Sequence, residues 1–174
     1  IINCDVSKAK WGIRIHGPIA GGVKILDCEV HETWDDGFFG QEASNVEIGY
    51  CHFYDNNMSY HYTGHNQSQA GGDCIQFYQG CSDLYIHHNL LDHSSTGNKF
   101  QVIVHSDNQT ADNILIEYNH MIGYGPSTSN VYFSEKTNIV LRYNIMENAG
   151  IGIYNQSTGT VDIHDNLFNK MEQA

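Results

Sequence analysis

ILIEYNHM (114–121) and IVLRYNIM (139–146) decide how this chain folds. Upstream the same eight-residue template returns as VKILDCEV (23–30), VEIGYCHF (46–53) and LYIHHNLL (84–91), and downstream as VDIHDNLF (161–168). The first, third and eighth positions are apolar in every copy. The second, fourth and fifth accept Lys, Glu, Asp, His and Tyr. Fixed apolar residues two apart are the mark of a strand with one buried face. The sixth position is Cys in the first two copies and Asn in the other four. IINCDV (1–6) is the tail of a further copy.

Working outward, each copy is followed by a second apolar pair. These pairs are Ile13/Ile15, Phe38/Phe39, Ile75/Phe77, Val102/Val104, Val131/Phe133 and Ile151/Ile153. Gly, Asn, Asp and Ser separate the strands, as turns require. The copies start 23, 38, 30, 25 and 22 residues apart. Short strands recurring at a period near 22 fit a solenoid, in which one coil buries its apolar face only against its neighbours. No stretch shows helical spacing. Stacking turns equivalent letters into spatial neighbours about 4.8 Å apart. Cys4, Cys28, Cys51, Asn89, Asn119, Asn144 and Asn166 then form one column, the Asn amides bonding to one another and to turn backbone. Val6, Val30, Phe53, Leu91, Met121, Met146 and Phe168 form an interior stack two residues later.

Composition agrees with one folded domain. The chain has 174 residues, 40% of them hydrophobic, with two Pro and 16% charged. Its formal charge of -12 argues against nucleic-acid binding, which needs clustered Lys and Arg. No apolar run is long enough to span a membrane. Five Cys with no CxxC imply neither a complete disulfide framework nor a structural zinc site. The chain starts at Ile1 without Met, and no capping helix is readable at either end. That points to a fragment or an uncapped solenoid.

The repeats VEIGYCHFYDN, LYIHHNLLDHS, ILIEYNHMIGYG and IVLRYNIMENAGIGIYN resemble the right-handed parallel β-helix repeats of the pectate-lyase-like superfamily. The resemblance covers essentially the whole chain. It implies an all-β, single-domain β-helix of about seven coils over residues 1–174. Its members include polysaccharide lyases, glycoside hydrolases, epimerases, phage tailspikes and non-catalytic surface proteins, so the fold alone does not name an activity. It also implies a secreted or cell-surface protein of bacterial type.

Two adjacent coils exceed the minimum length, through insertions at 54–72 and 92–99. Insertions in a solenoid emerge as loops and build binding faces. The first carries Tyr60, His61, Tyr62 and His65, whose flat rings and polar edges suit sugars. The outward positions of the second strand read Arg14, Phe39, Gln76, Ile103, Tyr132 and Gly152. Two residues on they read His16, Gln41, Tyr78, His105, Ser134 and Tyr154. Aromatics, amides and imidazoles replace the Lys, Glu and Thr of an ordinary solvated sheet. Asp36 and Asp73 lie two residues before the inward position in neighbouring coils, about one strand spacing apart. Such a pair holds one proton or binds a hard cation such as Ca²⁺, the one cofactor this reading allows. The alternative for both is that they are turn residues that start a strand.

β-Elimination of a uronate needs its carboxylate neutralised, a base for the C5 proton and an acid for the leaving oxygen. Lys99, His105, His61 and Tyr60 are the candidate catalytic residues. Arg14, Gln76 and Gln101 are candidates for the carboxylate, with Tyr78 and Tyr132 beside them on the substrate face. Glycosidic hydrolysis needs two carboxylates, for which Asp36 with Asp73, or Asp73 with Asp92, would serve. GGDCIQF is similar to the acidic strand start of polygalacturonase-type hydrolases, but Gly72 stands where a second Asp belongs. Neither the Gly-His-Gly nor the Arg-Ile-Lys element of that family is present. The expectation is a carbohydrate-active protein, a polysaccharide lyase ahead of a glycoside hydrolase. The third reading is a non-catalytic polysaccharide-binding or self-assembling solenoid, associating end to end or laterally.

Overall fold

The computed structural model describes residues 1–17, 22–56, 72–94 and 100–172. In chain order its strands are β1 (Asp5–Ser7), β2 (Ile13–His16), β3 (Val23–Leu26), β4 (Glu29–His31), β5 (Phe38–Gln41), β6 (Ser44–Gly49) and β7 (His52–Tyr54). They continue as β8 (Ile75–Tyr78), β9 (Ser82–His87), β10 (Leu90–Asp92), β11 (Phe100–Glu117), β12 (His120–Arg142), β13 (Ile145–Ser157), β14 (Val161–His164) and β15 (Leu167–Asn169). Every strand pairing is parallel, and each joins one coil to the next.

The coils wind through three faces. Face A stacks β1, β4, β7, β10, the start of β12, the start of β13 and β15. Face B stacks β2, β5, β8, the start of β11, the middle of β12 and the end of β13. Face C stacks β3, β6, β9, the end of β11, the end of β12 and β14. This is a parallel β-helix. Among the described residues no helix is long and apolar enough to cross a membrane.

Corners are made by residues in the left-handed region. Tyr50, His88, Tyr118 and Tyr143 turn the chain from face C to face A at φ of 57°, 53°, 56° and 56°. That region costs a non-glycine residue roughly 1–2 kcal/mol. The next residue offsets it. Asn119 Oδ1 accepts from Asn89 N and Nδ2, Asn144 Oδ1 from Asn119 N and Nδ2, and Asn166 Oδ1 from Asn144 N and Nδ2, all at 2.9–3.0 Å. Where Asn gives way to Cys, sulfur takes over as acceptor: Cys28 N donates to Cys51 Sγ at 3.4 Å. Burial pushes the Cys51 thiol up to about 12, so it stays protonated and also donates to Gly49 O at 3.2 Å.

The interior is a set of apolar columns. Val6, Val30, Phe53, Leu91, Met121, Met146 and Phe168 pair rung by rung, as the repeat predicts. On face B the column is Ile13, Phe38, Ile75, Val102, Val131 and Ile153. Its last member is Ile153, where the sequence suggested Ile151; Ile151 lies instead opposite Ser129. Phe38, Phe53, Phe77 and Phe133 are fully buried, each contributing about 1.5–3 kcal/mol by leaving water. Gly40 makes room for two of them, since a Cβ there would lie 2.9 Å from the Phe77 ring and 3.0 Å from Phe38.

Candidate functional site

Outer face B carries the two outward columns that the sequence pointed to. Register places Arg14, Phe39, Gln76, Ile103, Tyr132 and Tyr154 in one outward column. The last coil contributes Tyr154 where Gly152 was expected. Two residues on, the column is His16, Gln41, Tyr78, His105, Ser134 and Gln156, with Gln156 in the place expected for Tyr154.

Rings gather along this surface. Trp11 stacks on Phe39 at 5.8 Å, and the Arg14 guanidinium lies over both, 4.5 and 5.6 Å from their centroids. Further along, Phe100, Tyr132 and Tyr154 stack at 5.2 and 5.4 Å. Rungs only one strand spacing apart turn these rings toward one another. The wall therefore presents ring edges and hydroxyls more than flat faces. Tyr132 donates to Gln156 Oε1 at 3.0 Å, and Gln156 Nε2 donates to the Tyr154 hydroxyl at 2.7 Å.

The densest polar group lies where face B meets the corner to face C. Tyr78 and His105 occupy adjacent rungs with centroids 5.5 Å apart and planes 17° from parallel. The Tyr78 hydroxyl donates to Asp107 Oδ2 at 2.9 Å, and Gln79 Nε2 donates to the same oxygen at 3.1 Å. Gln41 Nε2 in turn holds Gln79 Oε1 at 2.8 Å. Gln79 and Tyr78, by these bonds, hold the Asp107 carboxyl below its ordinary value. Asp107 raises Tyr78 by the same bond, so the phenol keeps its proton well past neutrality. His105 Nδ1 is buried with no hydrogen-bond partner.

Other expected residues take different places. Lys99, Tyr60 and His61 lie outside the described residues, as do 57–71 and 95–99 of the two insertions. Both insertions leave face A and return to face B at the same corner, from β7 to β8 and from β10 to β11. Gln101, expected on the substrate surface, is fully buried. Its Nε2 donates to Ile122 O at 3.2 Å and its Oε1 accepts from Asn130 Nδ2 at 2.8 Å. Its amide therefore belongs to the interior between faces A and B.

Asp36 and Asp73 are each 2% exposed. Asp36 Oδ1 accepts from Asp73 N at 2.9 Å, and Asp73 Oδ1 accepts from Phe100 N at 3.0 Å. The Gln76 amide, oriented by its neighbours, donates to both Asp36 oxygens at 3.2 and 3.0 Å. This is the strand-starting role, carried from coil to coil. Among the described residues no group of three or more His, Cys, Asp or Glu is placed to hold a metal. Ca²⁺ takes six to eight oxygens; here one oxygen of each carboxylate accepts from a backbone N–H of the next coil.

A family model described as "Right handed beta helix region" matches residues 1–115. The chain belongs to that family. Comparison with curated proteins and with solved structures gave no match.

In this β-helix, the sequence pointed to Gln41, Tyr78 and His105 in one outward column but not to Gln79 or Asp107. Both missed residues lie at the corner from face B to face C. Gln79 and Asp107 both take the left-handed conformation, at φ of 57° and 49°. Aligning the corners as well as the strands would have placed Gln79 and Asp107 in one column.

Proposed function

We propose that this β-helix is a polysaccharide lyase that cleaves a uronate-containing polysaccharide by β-elimination along outer face B, secreted or at a cell surface. The observation that carries the reading is the Tyr78–His105 pair with Asp107. His105, stacked on Tyr78, supplies Nε2, the ring nitrogen other than the buried Nδ1, as the base for the C5 proton. Tyr78, held protonated by Asp107, is the acid for the leaving oxygen. Electrons from the C5–H bond form the C4–C5 double bond as the C4–O bond breaks. Arg14 lies two rungs from Tyr78 and three from His105, roughly 10–14 Å along the axis, and takes a carboxylate further along the same chain.

Hydrolysis by Asp36 and Asp73 draws no support from the geometry, because both carboxylates are committed to backbone N–H groups of the next coil. The test is incubation with a panel of uronate and neutral polysaccharides. Absorbance of unsaturated ends is the expected result, falling about 10²–10⁴-fold in Tyr78→Phe and His105→Ala. Reducing ends without that absorbance would make the protein a hydrolase. Binding with neither product would make it a non-catalytic polysaccharide binder.

A further inference from the structure

The outer surface of face C takes no part in that reaction, yet it holds a continuous groove. Three depressions of about 140, 270 and 460 Å³ open along it. The first shares Asp83 and Tyr85 with the second, and the second shares Asn113 and Leu115 with the third. They follow one register column from Lys24 through Glu47, Tyr85, Leu115 and Val140 to Asp162. Five rung spacings make the groove roughly 24 Å long. Half-buried Tyr85, Leu115 and Val140 form its floor.

Charge separates this groove from face B. Its two cations are already paired, Lys24 with Glu47 at 2.6 Å and Arg142 with Glu117 at 2.8 Å. Asp83, Asp112 and Asp162 are exposed and have no ion-pair partner among the described residues. A uronate chain is repelled here. One amide stands beside a carboxylate, Asn113 Nδ2 donating to Asp83 Oδ1 at 2.6 Å, and on the next coil Asn138 Oδ1 accepts from Thr160 N at 2.7 Å. The groove thus offers carboxylates for cations, amides for hydroxyls and an apolar floor for rings, the floor residues Tyr85, Leu115 and Val140 recurring at one strand spacing, comparable with one sugar of an extended chain.

We propose that this groove binds an amino-sugar polysaccharide. Protonated amines meet Asp83, Asp112 and Asp162, and sugar rings lie over Tyr85, Leu115 and Val140. The site is separate from face B and does not depend on the lyase reading.

Titration of the whole chain with a glucosamine hexasaccharide, its N-acetylated counterpart and oligolysine of equal length tests this, with methyl signals of Leu115 and Val140 as the readout. The glucosamine chain is expected to shift both methyls. The acetylated chain and oligolysine are expected to bind at least about tenfold more weakly, the effect of one lost charge-assisted hydrogen bond. Asp112→Asn with Asp162→Asn should weaken glucosamine binding about tenfold, raised salt should weaken it too, and face B should be unaffected. Equal or tighter binding of the acetylated chain or of oligolysine would overturn the proposal. So would shifts confined to Tyr132 and Tyr154, or no binding at all.

Discussion

The side-chain oxygen of Asn119 accepts two hydrogen bonds from Asn89, one from its backbone N at 3.0 Å and one from its Nδ2 at 2.9 Å. The Asn119 amide reaches back to Ile86 O and Glu117 O and on to Asn144 Oδ1. With Asn119 only 1% exposed, no water replaces these partners. Asn119→Ala should cost about 3 kcal/mol, because each buried group left unsatisfied costs about 1–3 kcal/mol. Urea denaturation of the two proteins measures it. A change below about 1 kcal/mol would show that the column carries little of the stability.

Gly40 and Phe77 should prove energetically coupled. A methyl at Gly40 meets the Phe77 ring at 2.9 Å, so Gly40→Ala should destabilise by about 1–3 kcal/mol through overpacking. Phe77→Leu leaves more space there. In a double-mutant cycle the pair should cost less than the sum of the single changes. Additive effects would place the strain elsewhere.

The pH profile of the proposed reaction should reveal the Tyr78–Asp107 bond. A raised Tyr78 moves the alkaline loss of activity above the ordinary tyrosine range. Asp107→Asn removes the charge that raises it, so the alkaline limb should move down toward that range. An unchanged limb in this variant would remove Tyr78 from the role of acid.

Stability in acid should depend on Glu117. Burial pushes its carboxyl up, but hydrogen bonds from Arg142 and Tyr85 pull it down further, leaving it below its ordinary value. A carboxyl lowered by folding stabilises above its unfolded value, and that contribution is lost as pH falls through the folded value. Glu117→Gln should therefore lower stability at neutral pH and flatten the loss below the usual carboxylate range. Thermal unfolding across that range measures both effects. A wild-type slope retained by the variant would show that Glu117 is not its source.

Much of the scaffold was legible because the coil is a local pattern. The column Val6 to Phe168 and the column of Cys and Asn follow from the repeat alone, and register confirms both. The last coil of face B was misread by two residues. A slip of one would have turned the apolar residues outward, but a slip of two keeps every side chain on its face. With Ile151 and Ile153 both apolar, the pattern fits either register. Only pairing with β12 chose Ile153.

Of the candidate site, the sequence yielded the column holding Tyr78 and His105 but not the corner that ties Tyr78 to Asp107. It placed Gln101 outward because period two was carried to the start of β11, at the corner from face A, where the consecutive residues Gln101 and Val102 are both fully buried. Whether a polar side chain near a turn faces solvent or the interior depends on the partner that satisfies it, here Asn130 from the following coil.

The amino-acid order by itself determined that the chain coils in parallel, which letters stack, and which column would hold the coils together through amides. Tertiary structure alone decided what each carboxylate and amide touches: Asp36 the backbone of Asp73, Asp107 the hydroxyl of Tyr78, and Asp83 the amide of Asn113. The physical reason is range. Strand alternation is written into neighbours along the chain, whereas a hydrogen bond is completed by a group 29 to 37 residues away that only the winding brings within 3 Å.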